Sequence, residues 1–214
     1  QSPLVIYPKK NQDLMEIIQL LSHSRIEFEI FGGGSNLLVS DEGIKKPVIS
    51  MRNLSSYEIR GEFIRVGSGL PVSFLAREAA VSGLSGLEFS GGLPGFICGA
   101  VFMNARCYGS EFAEVIDSVI CFDSKGKEII FKKEECSFSY KNSIFQKEDL
   151  FISEIILRLK NGNQEMIMNK TIENEKDRIN KKQFHYPSCG CIFKNNYQIG
   201  ISSGKIIEDL GLKG

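Results

Sequence analysis

Residues 32–36, with the sequence Gly-Gly-Gly-Ser-Asn, form the first segment of the chain whose composition could bind a charged ligand. Consecutive glycines allow positive φ angles, align backbone N–H groups into a concavity and let a phosphate approach the main chain. Ser35 and Asn36 can add side-chain donors. We interpret this segment as a candidate phosphate-binding loop, with an ordinary glycine turn as the alternative.

A second cluster of glycines follows in an otherwise apolar stretch. Its members are Gly83, Gly86, Gly91, Gly92, Gly95 and Gly99. Glycine loses more conformational freedom on folding than any other residue, so such a cluster is costly unless the backbone must wrap closely around something. Together the two clusters suggest a pyrophosphate in the first loop and a flat ring system against the second. A tightly turning β-structure without ligand is the alternative.

The cysteines do not indicate a disulfide scaffold or a zinc site, and two further glycine motifs do not match the known nucleotide-binding fingerprints. Six cysteines lack the compact spacing of a disulfide scaffold, and a zinc site built on Cys189 and Cys191 would need a distant second pair, so we expect reduced thiols. Gly67-Ser68-Gly69 resembles a dinucleotide fingerprint, but Val72 replaces its third glycine and Pro71 removes an amide. Gly204-Lys205 lacks the other residues of a P-loop.

The overall composition excludes some partners. The 214 residues carry 26 basic and 26 acidic side chains, so no whole-chain field exists to collect nucleic acid or anionic membrane. No stretch approaches the roughly 20 apolar residues that a bilayer requires, and the N-terminal segment lacks the pattern of a secretory signal. We expect a cytoplasmic location. The absent initial methionine and the helix-like segment just before the last residue predict a fragment of a longer protein.

Hydrophobic periodicity predicts a mixed α+β fold in three parts. Residues 1–50 should form a β-α-β unit, with a helix opened by Asp13, a strand at 27–31 and a further strand at 37–39. Residues 51–163 should be mainly β, with a hairpin near Gly61 and a single helix from Pro71 to Gly83. Residues 164–214 should begin with a charged helical connector.

Four motifs, in this order, resemble the UDP-N-acetylenolpyruvoylglucosamine reductases, the flavoenzymes of peptidoglycan precursor synthesis. They are GGGSNLLVSDEG, GLSGLEFSGGLPGFICGAVFMNARCYGSE, SYKNSIF and YPSCGCIFKN. The resemblance covers nearly the whole chain. It implies an FAD-binding half of the vanillyl-alcohol-oxidase (PCMH) type, made of two α+β subdomains, followed by a partial α/β substrate domain.

The resemblance also implies a reaction and the residues that bind its cofactor. NADPH would donate a hydride through FAD to the enolpyruvyl ether of UDP-N-acetylglucosamine, giving UDP-N-acetylmuramate. The first loop, Gly32, Gly33, Gly34, Ser35 and Asn36, would hold the FAD pyrophosphate. The residues lining the flavin would be Gly92, Leu93, Pro94, Gly95, Gly99, Ala100 and Asn104.

Two catalytic positions depart from the family pattern. Lys141 stands where the family has an arginine that meets the substrate carboxylate. An ammonium can neutralise a carboxylate but cannot form the bidentate hydrogen bonds of a guanidinium. Cys191 stands where the family has the serine that donates a proton; a thiol is a stronger acid than an alcohol. The alternatives without a catalytic role are a solvent-facing lysine for Lys141 and a small buried residue for Cys191.

By the same resemblance, Tyr140, Ser143, Lys182 and Asn195 would contact the substrate. Arg106 and Cys107 replace a small pair before Tyr108, Phe96 replaces a small residue in the flavin loop, and Phe184 stands where a proline is common. The family's catalytic glutamate would lie beyond Gly214. Two other functions stay open at this point: a different flavin oxidoreductase on the same framework, and a non-catalytic UDP-sugar binding protein.

Overall fold

The computed structural model describes residues 2–212, apart from the side chain of Tyr197. The helices are α1 (Asn11–His23), α2 (Val72–Val81), α3 (Ile97–Phe102), α4 (Gln164–Asn180) and α5 (Ser203–Asp209). The strands are β1 (Val5–Ile6), β2 (Glu29–Phe31), β3 (Val48–Ser50), β4 (Tyr57–Arg60), β5 (Phe63–Gly67), β6 (Leu84–Ser85), β7 (Arg106–Cys107), β8 (Ser110–Glu111), β9 (Ile116–Asp123), β10 (Glu128–Lys132), β11 (Leu150–Arg158) and β12 (Lys160–Asn161).

The N-terminal part contains the predicted β-α-β unit. β1 and β2 pair in parallel with β3, which lies between them. The buried face of α1 carries Leu14, Ile18 and Leu21, at the three- and four-residue spacing of an amphipathic helix. α1 begins two residues before Asp13, whose carboxylate accepts hydrogen bonds from the Lys9 and Lys10 amides at 2.9 and 3.3 Å. Asp13 therefore caps the helix from within its first turn.

The predicted strand at residues 37–39 is wrong. These residues pair with no other strand in the described part of the chain, and Leu38 is 87% exposed. Their apolar side chains gave the pattern of a strand, but the sheet order β1-β3-β2 places the later β3 in the centre of the unit. The central position is thus taken by a strand about ten residues further along the chain.

The second part is built on an antiparallel sheet in the order β10-β9-β11-β5-β4. The predicted hairpin at Arg60 and Gly61 joins β4 to β5, and the turn near Gly126 joins β9 to β10. β11 pairs with β9 on one side and β5 on the other, and it begins at Leu150, before residues 155–160, whose alternation of apolar and other side chains predicts a strand. Ile155 and Leu157 are fully buried. The prediction of a single helix in this part is wrong, because the glycine-rich stretch also contains the short helix α3. α2 and α3 contribute Leu75, Ala79, Ile97 and Val101 to the same core.

α4, the predicted connector helix, packs against α2 and residues 88–90. Its buried residues are Ile167, Thr171, Asn174 and Arg178, which share one helix face. The side chain of Asn163 caps the helix by accepting a hydrogen bond from the Met166 amide at 2.9 Å. None of the helices within residues 2–212 has the length and apolarity needed to cross a bilayer.

Candidate functional site

The two predicted glycine loops meet each other. A Cβ atom on Gly33 would lie 2.6 Å from the Gly95 Cα, a distance that real Cβ contacts do not show. The Ser35 hydroxyl donates a hydrogen bond to the Pro94 carbonyl at 3.3 Å. Gly95 has a φ of +101°, in the region that favours glycine. The close approach therefore requires glycine at both positions 33 and 95.

Beside this contact both loops have an open face. Apart from chain neighbours and the backbone of α3 itself, no atom of residues 2–212 lies within 4 Å of an ideal Cβ on Gly34 or on Gly99. A Cβ on Gly32 would meet the Cys98 Sγ at 3.2 Å and the Gly99 amide nitrogen at 3.8 Å. Small residues at open positions leave space for a ligand against the main chain. The loops thus combine a closed backbone contact with the cradle that a pyrophosphate-bearing ligand requires.

Other glycines of the second cluster are explained by the protein itself. A Cβ on Gly91 would lie 2.4 Å from the Thr171 carbonyl oxygen, and one on Gly92 would lie 3.2 Å from the Glu175 Cα. Both contacts are to the backbone of α4. From the sequence we interpreted the whole second cluster as ligand-binding. In the structure, Gly91 and Gly92 instead allow α4 to pack directly on the loop.

Among the other predicted flavin-lining residues, Leu93 is half-buried, Pro94 is exposed and Ala100 is buried. Asn104 is 1% exposed and has a positive φ of 41°. Its amide nitrogen donates to the Glu111 carboxylate and to the Ser139 carbonyl, both at 3.1 Å. Its amide oxygen accepts from the Ala113 amide at 3.0 Å. The Asn104 side chain therefore ties the end of the flavin-lining segment to the turn that carries Lys141.

That turn holds Lys141 in a left-handed conformation at the C-terminal end of α3. Ser139 and Asn142 exchange two backbone hydrogen bonds at 3.1 Å, and the φ of Lys141 is +56°. The Ser143 hydroxyl donates to the Phe102 carbonyl at 2.7 Å. A non-glycine residue in this conformation is strained by about 1–3 kcal/mol, and such strain concentrates at functional sites. Lys141 is half-buried as a residue, and its ammonium has no ion-pair partner among the described residues.

The segment around Cys191 lies against the first glycine loop. A Cβ on Gly190 would be 2.9 Å from the Asn36 amide oxygen and 3.7 Å from the Ser35 carbonyl oxygen. Cys191 itself is exposed. Segments 32–36, 94–99 and 188–191, which are far apart in sequence, are therefore neighbours in space.

The predicted substrate residues lie in two places. The Asn195 amide donates to the Tyr140 hydroxyl at 3.2 Å, and the Asn195 side-chain oxygen accepts from the Ser203 amide at 2.9 Å at the start of α5. This pair joins the last predicted motif to the Lys141 turn. Lys182 is exposed, has a φ of +56° and follows α4, and no hydrogen bond within residues 2–212 connects its side chain to Tyr140 or Asn195.

Sequence reasoning missed a polar cluster behind the flavin-lining segment. The Tyr108 hydroxyl donates to the Asp177 carboxylate at 2.8 Å and to the Asn174 carbonyl at 3.1 Å. Partial burial, and then the bond to Asp177, raise the pKa of Tyr108 to about 12. Hydrogen bonds from Lys181 and Tyr108 lower the pKa of Asp177. The buried face of α4 consists of Ile167, Thr171, Asn174 and Arg178, and its mostly polar residues gave no sign in the sequence that they are buried.

Burial disfavours the thiolate form of the buried cysteines. All six cysteines are free, and burial raises the pKa of Cys98 and of Cys136 to about 12. These two thiols stay protonated at neutral pH. Cys191, exposed at the meeting point of the loops, is the accessible thiol beside the first glycine loop.

Comparison with known proteins identifies the family. The family of FAD binding domains matches residues 2–132. A UDP-N-acetylenolpyruvoylglucosamine reductase from Treponema denticola is 40% identical, over 97% of this chain and 69% of that protein. Another, from Borreliella burgdorferi, is 42% identical, over 100% of this chain and 71% of that protein. The chain belongs to the UDP-N-acetylenolpyruvoylglucosamine reductase family.

Solved structures agree with this assignment. The UDP-N-acetylenolpyruvylglucosamine reductase from Thermus caldophilus superposes with a TM-score of 0.83 at 33% identity, covering 98% of this chain and 74% of that one. The 6-hydroxy-D-nicotine oxidase from Arthrobacter nicotinovorans shares the fold, with a TM-score of 0.59 at 19% identity over 75% of this chain and 37% of that one. The predicted family, the predicted α+β FAD-binding fold class and FAD as the cofactor are confirmed.

The residues of this reductase-family chain fit FAD. The contact of Gly33 with Gly95 closes one side of the site, and the open faces of Gly34 and Gly99 leave room on the other. Positive φ values at Gly34 and Gly95 let the backbone turn tightly around a ligand. These features belong to the chain itself and are independent of the comparison.

Proposed function

We propose that this chain binds FAD between its two glycine loops and catalyses the NADPH-dependent reduction of the enolpyruvyl ether of UDP-N-acetylglucosamine to UDP-N-acetylmuramate. The observation that supports this most is the convergence of segments 32–36, 94–99 and 188–191, which brings Cys191 to the glycine loops. The chain spans 69% to 71% of the length of its relatives from Treponema and Borreliella. We place the reaction in the cytoplasm, where free thiols are stable.

The cofactor supplies the hydride chemistry, which no amino-acid side chain can provide. The backbone amides of residues 32–34, with Ser35 and Asn36, would hold its pyrophosphate. The residues that would line or organise its ring site are Gly92, Leu93, Pro94, Gly95, Gly99, Ala100 and Asn104. Asn104 acts through its bonds to Ser139 and Glu111, which keep the ring site and the Lys141 turn in register. We assign FAD binding to two subdomains, residues 1–50 and 51–163, and substrate contacts to the segment from residue 164.

Lys141 stabilises the negative charge that develops on the substrate carboxylate. The residue is half-buried and its ammonium has no ion-pair partner within the described residues, so its charge is available to an anionic ligand. The Gln146 side chain donates to the Lys141 carbonyl at 3.3 Å and to the Phe102 carbonyl at 2.8 Å, which fixes the turn before any substrate arrives. A preorganised cation lowers the barrier because it does not reorganise during the reaction.

Cys191 donates the proton that completes the reduction. It follows Gly190, whose backbone lies against the Asn36 side chain, so the main chain at Cys191 is next to the pyrophosphate loop. A protonated thiol acts as a general acid, and its exposure allows it to be reprotonated from water between turnovers.

The remaining substrate contacts come from Tyr140, Ser143, Lys182 and Asn195. The Ser143 hydroxyl already donates to Phe102, so it positions the Lys141 turn. The Asn195 backbone amide donates to Tyr140, and its side-chain oxygen accepts from the Ser203 amide. The side-chain nitrogen of Asn195 would then donate to the nucleotide part of the substrate. The exposed Lys182 ammonium suits a diphosphate.

The decisive experiment separates the two half-reactions in the intact protein. In Cys191→Ala, NADPH should bleach the yellow flavin at the parent rate, whereas reoxidation by the enolpyruvyl substrate should slow by roughly 10²-fold, as for loss of a general acid. Cys189→Ala is the matched control, since it removes a neighbouring thiol and should leave both rates unchanged. Equal reoxidation rates in parent and Cys191→Ala would remove Cys191 from the mechanism. Purified protein that neither contains nor takes up FAD would contradict the proposed function as a whole.

A further inference from the structure

Arg178 is a buried cation in the last turns of α4. The residue is 3% exposed. Its Nε donates to the Gly91 carbonyl at 2.9 Å, its Nη1 to the Gln183 side-chain oxygen at 3.1 Å and its Nη2 to the Cys107 Sγ at 2.8 Å. The guanidinium carbon also lies 5.2 Å from the centre of the Tyr108 ring. Each of the three guanidinium nitrogens therefore donates a hydrogen bond.

This charge has no carboxylate partner in the part of the chain that the structure describes. The adjacent Asp177 carboxylate instead binds Lys181 at 2.6 Å and the Tyr108 hydroxyl. Burying a guanidinium without an ion pair is costly, and it is tolerated only where neutral acceptors and an aromatic face replace its water. An apolar residue would fill this space at lower cost, so the specific contribution of the arginine lies in the groups that it holds.

Those groups lie at the two ends of the flavin-lining segment. Gly91 and Gly92 begin it, and a Cβ on Gly92 would lie 3.1 Å from the Arg178 Cδ. Cys107 and Tyr108 follow its end, and Tyr108 has a left-handed φ of +50°. One side chain therefore fixes both ends of residues 91–108 from the side of α4.

We propose that Arg178 is a positioning residue that sets the shape of segment 91–108, and through it the affinity and the environment of the bound flavin. The inference rests on the proposed function, because that function puts the flavin against this segment. Cys107 takes part, since its sulfur is an acceptor that the small residue usual in the family would not offer. The residue acts through the loop and not on the reacting atoms.

The test measures FAD binding to the intact apoprotein by flavin fluorescence, together with the visible spectrum of the bound flavin. Arg178→Met keeps the length of the side chain but removes its charge and donors, and it should raise the Kd for FAD about tenfold or more and shift the flavin bands. Arg178→Lys keeps the charge without the fork, so it should rescue the affinity only in part. Cys107→Ala removes one acceptor and should weaken binding by about twofold.

Arg77→Met is the matched control. Arg77 binds Glu175 of α4 from α2, so this variant removes an arginine contact to the same helix but none of the hydrogen bonds that Arg178 makes to Gly91, Gln183 and Cys107. It should lower the midpoint of thermal unfolding slightly and leave the Kd and the spectrum unchanged. If Arg178→Met does not fold, Arg178→Lys and Cys107→Ala still decide the question.

Two outcomes separate the inference from the proposed function. A parent protein that binds FAD, with variants of Arg178 and Cys107 that share its Kd and spectrum, would overturn the positioning role alone. Variants that lose thermal stability as Arg77→Met does, without a change in Kd, would show a merely structural arginine. A parent without affinity for FAD would instead overturn the proposed function.

Discussion

The Cα atom of Gly95 occupies the place where a side chain on Gly33 would have to begin, since an ideal Cβ there would lie 2.6 Å from it. Both contact partners are backbone, so neither can move aside as the end of a flexible side chain could. The two loops that we assign to the cofactor can therefore approach this closely only because neither residue has a side chain.

Gly33→Ala should separate the loops. The overpacking costs about 1–3 kcal/mol of folding free energy, and the Kd for FAD should rise about tenfold or more because both walls of the site shift. Gly61→Ala is the control: its φ of +58° makes the substitution strained, but it lies in the β4–β5 turn with open space around it. Flavin fluorescence and thermal unfolding measure both effects. A Gly33→Ala protein with the parent Kd would contradict this account of the loop contact.

Gly99→Ala should have opposite effects on the apoprotein and on the cofactor complex. Gly99 lies in α3, and outside the backbone of that helix no described atom is within 4 Å of an added Cβ. Alanine in a helix is favoured over glycine by up to about 1 kcal/mol, so the apoprotein should be more stable. The methyl group would occupy space that we assign to FAD, and the Kd should rise. Unchanged affinity would show that the cofactor does not approach Gly99.

Lys141→Gly should separate activity from stability. Relief of the left-handed strain at φ +56° offsets the larger entropy loss of glycine, so the free energy of unfolding should change by less than about 1 kcal/mol. Reoxidation of the flavin by substrate should nevertheless fall severely, while Lys141→Arg keeps or improves it. Ser137→Gly is the matched control, since Ser137 has a φ of +49° and no assigned role. Parent-like turnover in Lys141→Gly would place this side chain outside the site.

The pKa of Tyr108 predicts a loss of stability at alkaline pH. Folding raises it from the ordinary value of 10.0 to about 12, so the folded state holds this proton more tightly than the unfolded state. The resulting stabilisation is fully present below about pH 10 and is lost as the pH rises to about 12. The stability difference between the parent and Tyr108→Phe should therefore shrink over this range in denaturant titrations. Tyr186→Phe, at a residue that is 75% exposed, is the control and should show no such trend. A constant difference would contradict the raised pKa.

Much of the fold could be predicted because the relevant signals are local. The apolar spacing of α1 and α2, the turn residues between β4 and β5, and Asn163 before α4 each act within a few residues, and each predicted element is present. The strand predicted at 37–39 failed because periodicity shows which residues could pair but not which strand wins the central place in a sheet. The site could be predicted as a set of motifs, since residue types and their order are properties of the sequence.

Arg178 could not be predicted in the same way. An arginine in a charged helix has the pattern of a solvated residue, and its partners Gly91 and Cys107 lie 87 and 71 positions away. The same holds for Asn104, whose side chain is engaged by Glu111, Ser139 and Ala113 and so organises the site from within the core.

The sequence by itself determined the family, the flavin framework and the identities of the groups that could do chemistry, because backbone freedom at glycine and the acidity of a thiol or an ammonium belong to individual residues. The tertiary structure alone decided that Gly33 lies on Gly95, that Gly190 lies on Asn36 and that a buried arginine braces the flavin-lining segment. Contacts of this kind depend on which backbones approach within a few ångströms after the core has packed, and residue types do not encode that distance one at a time.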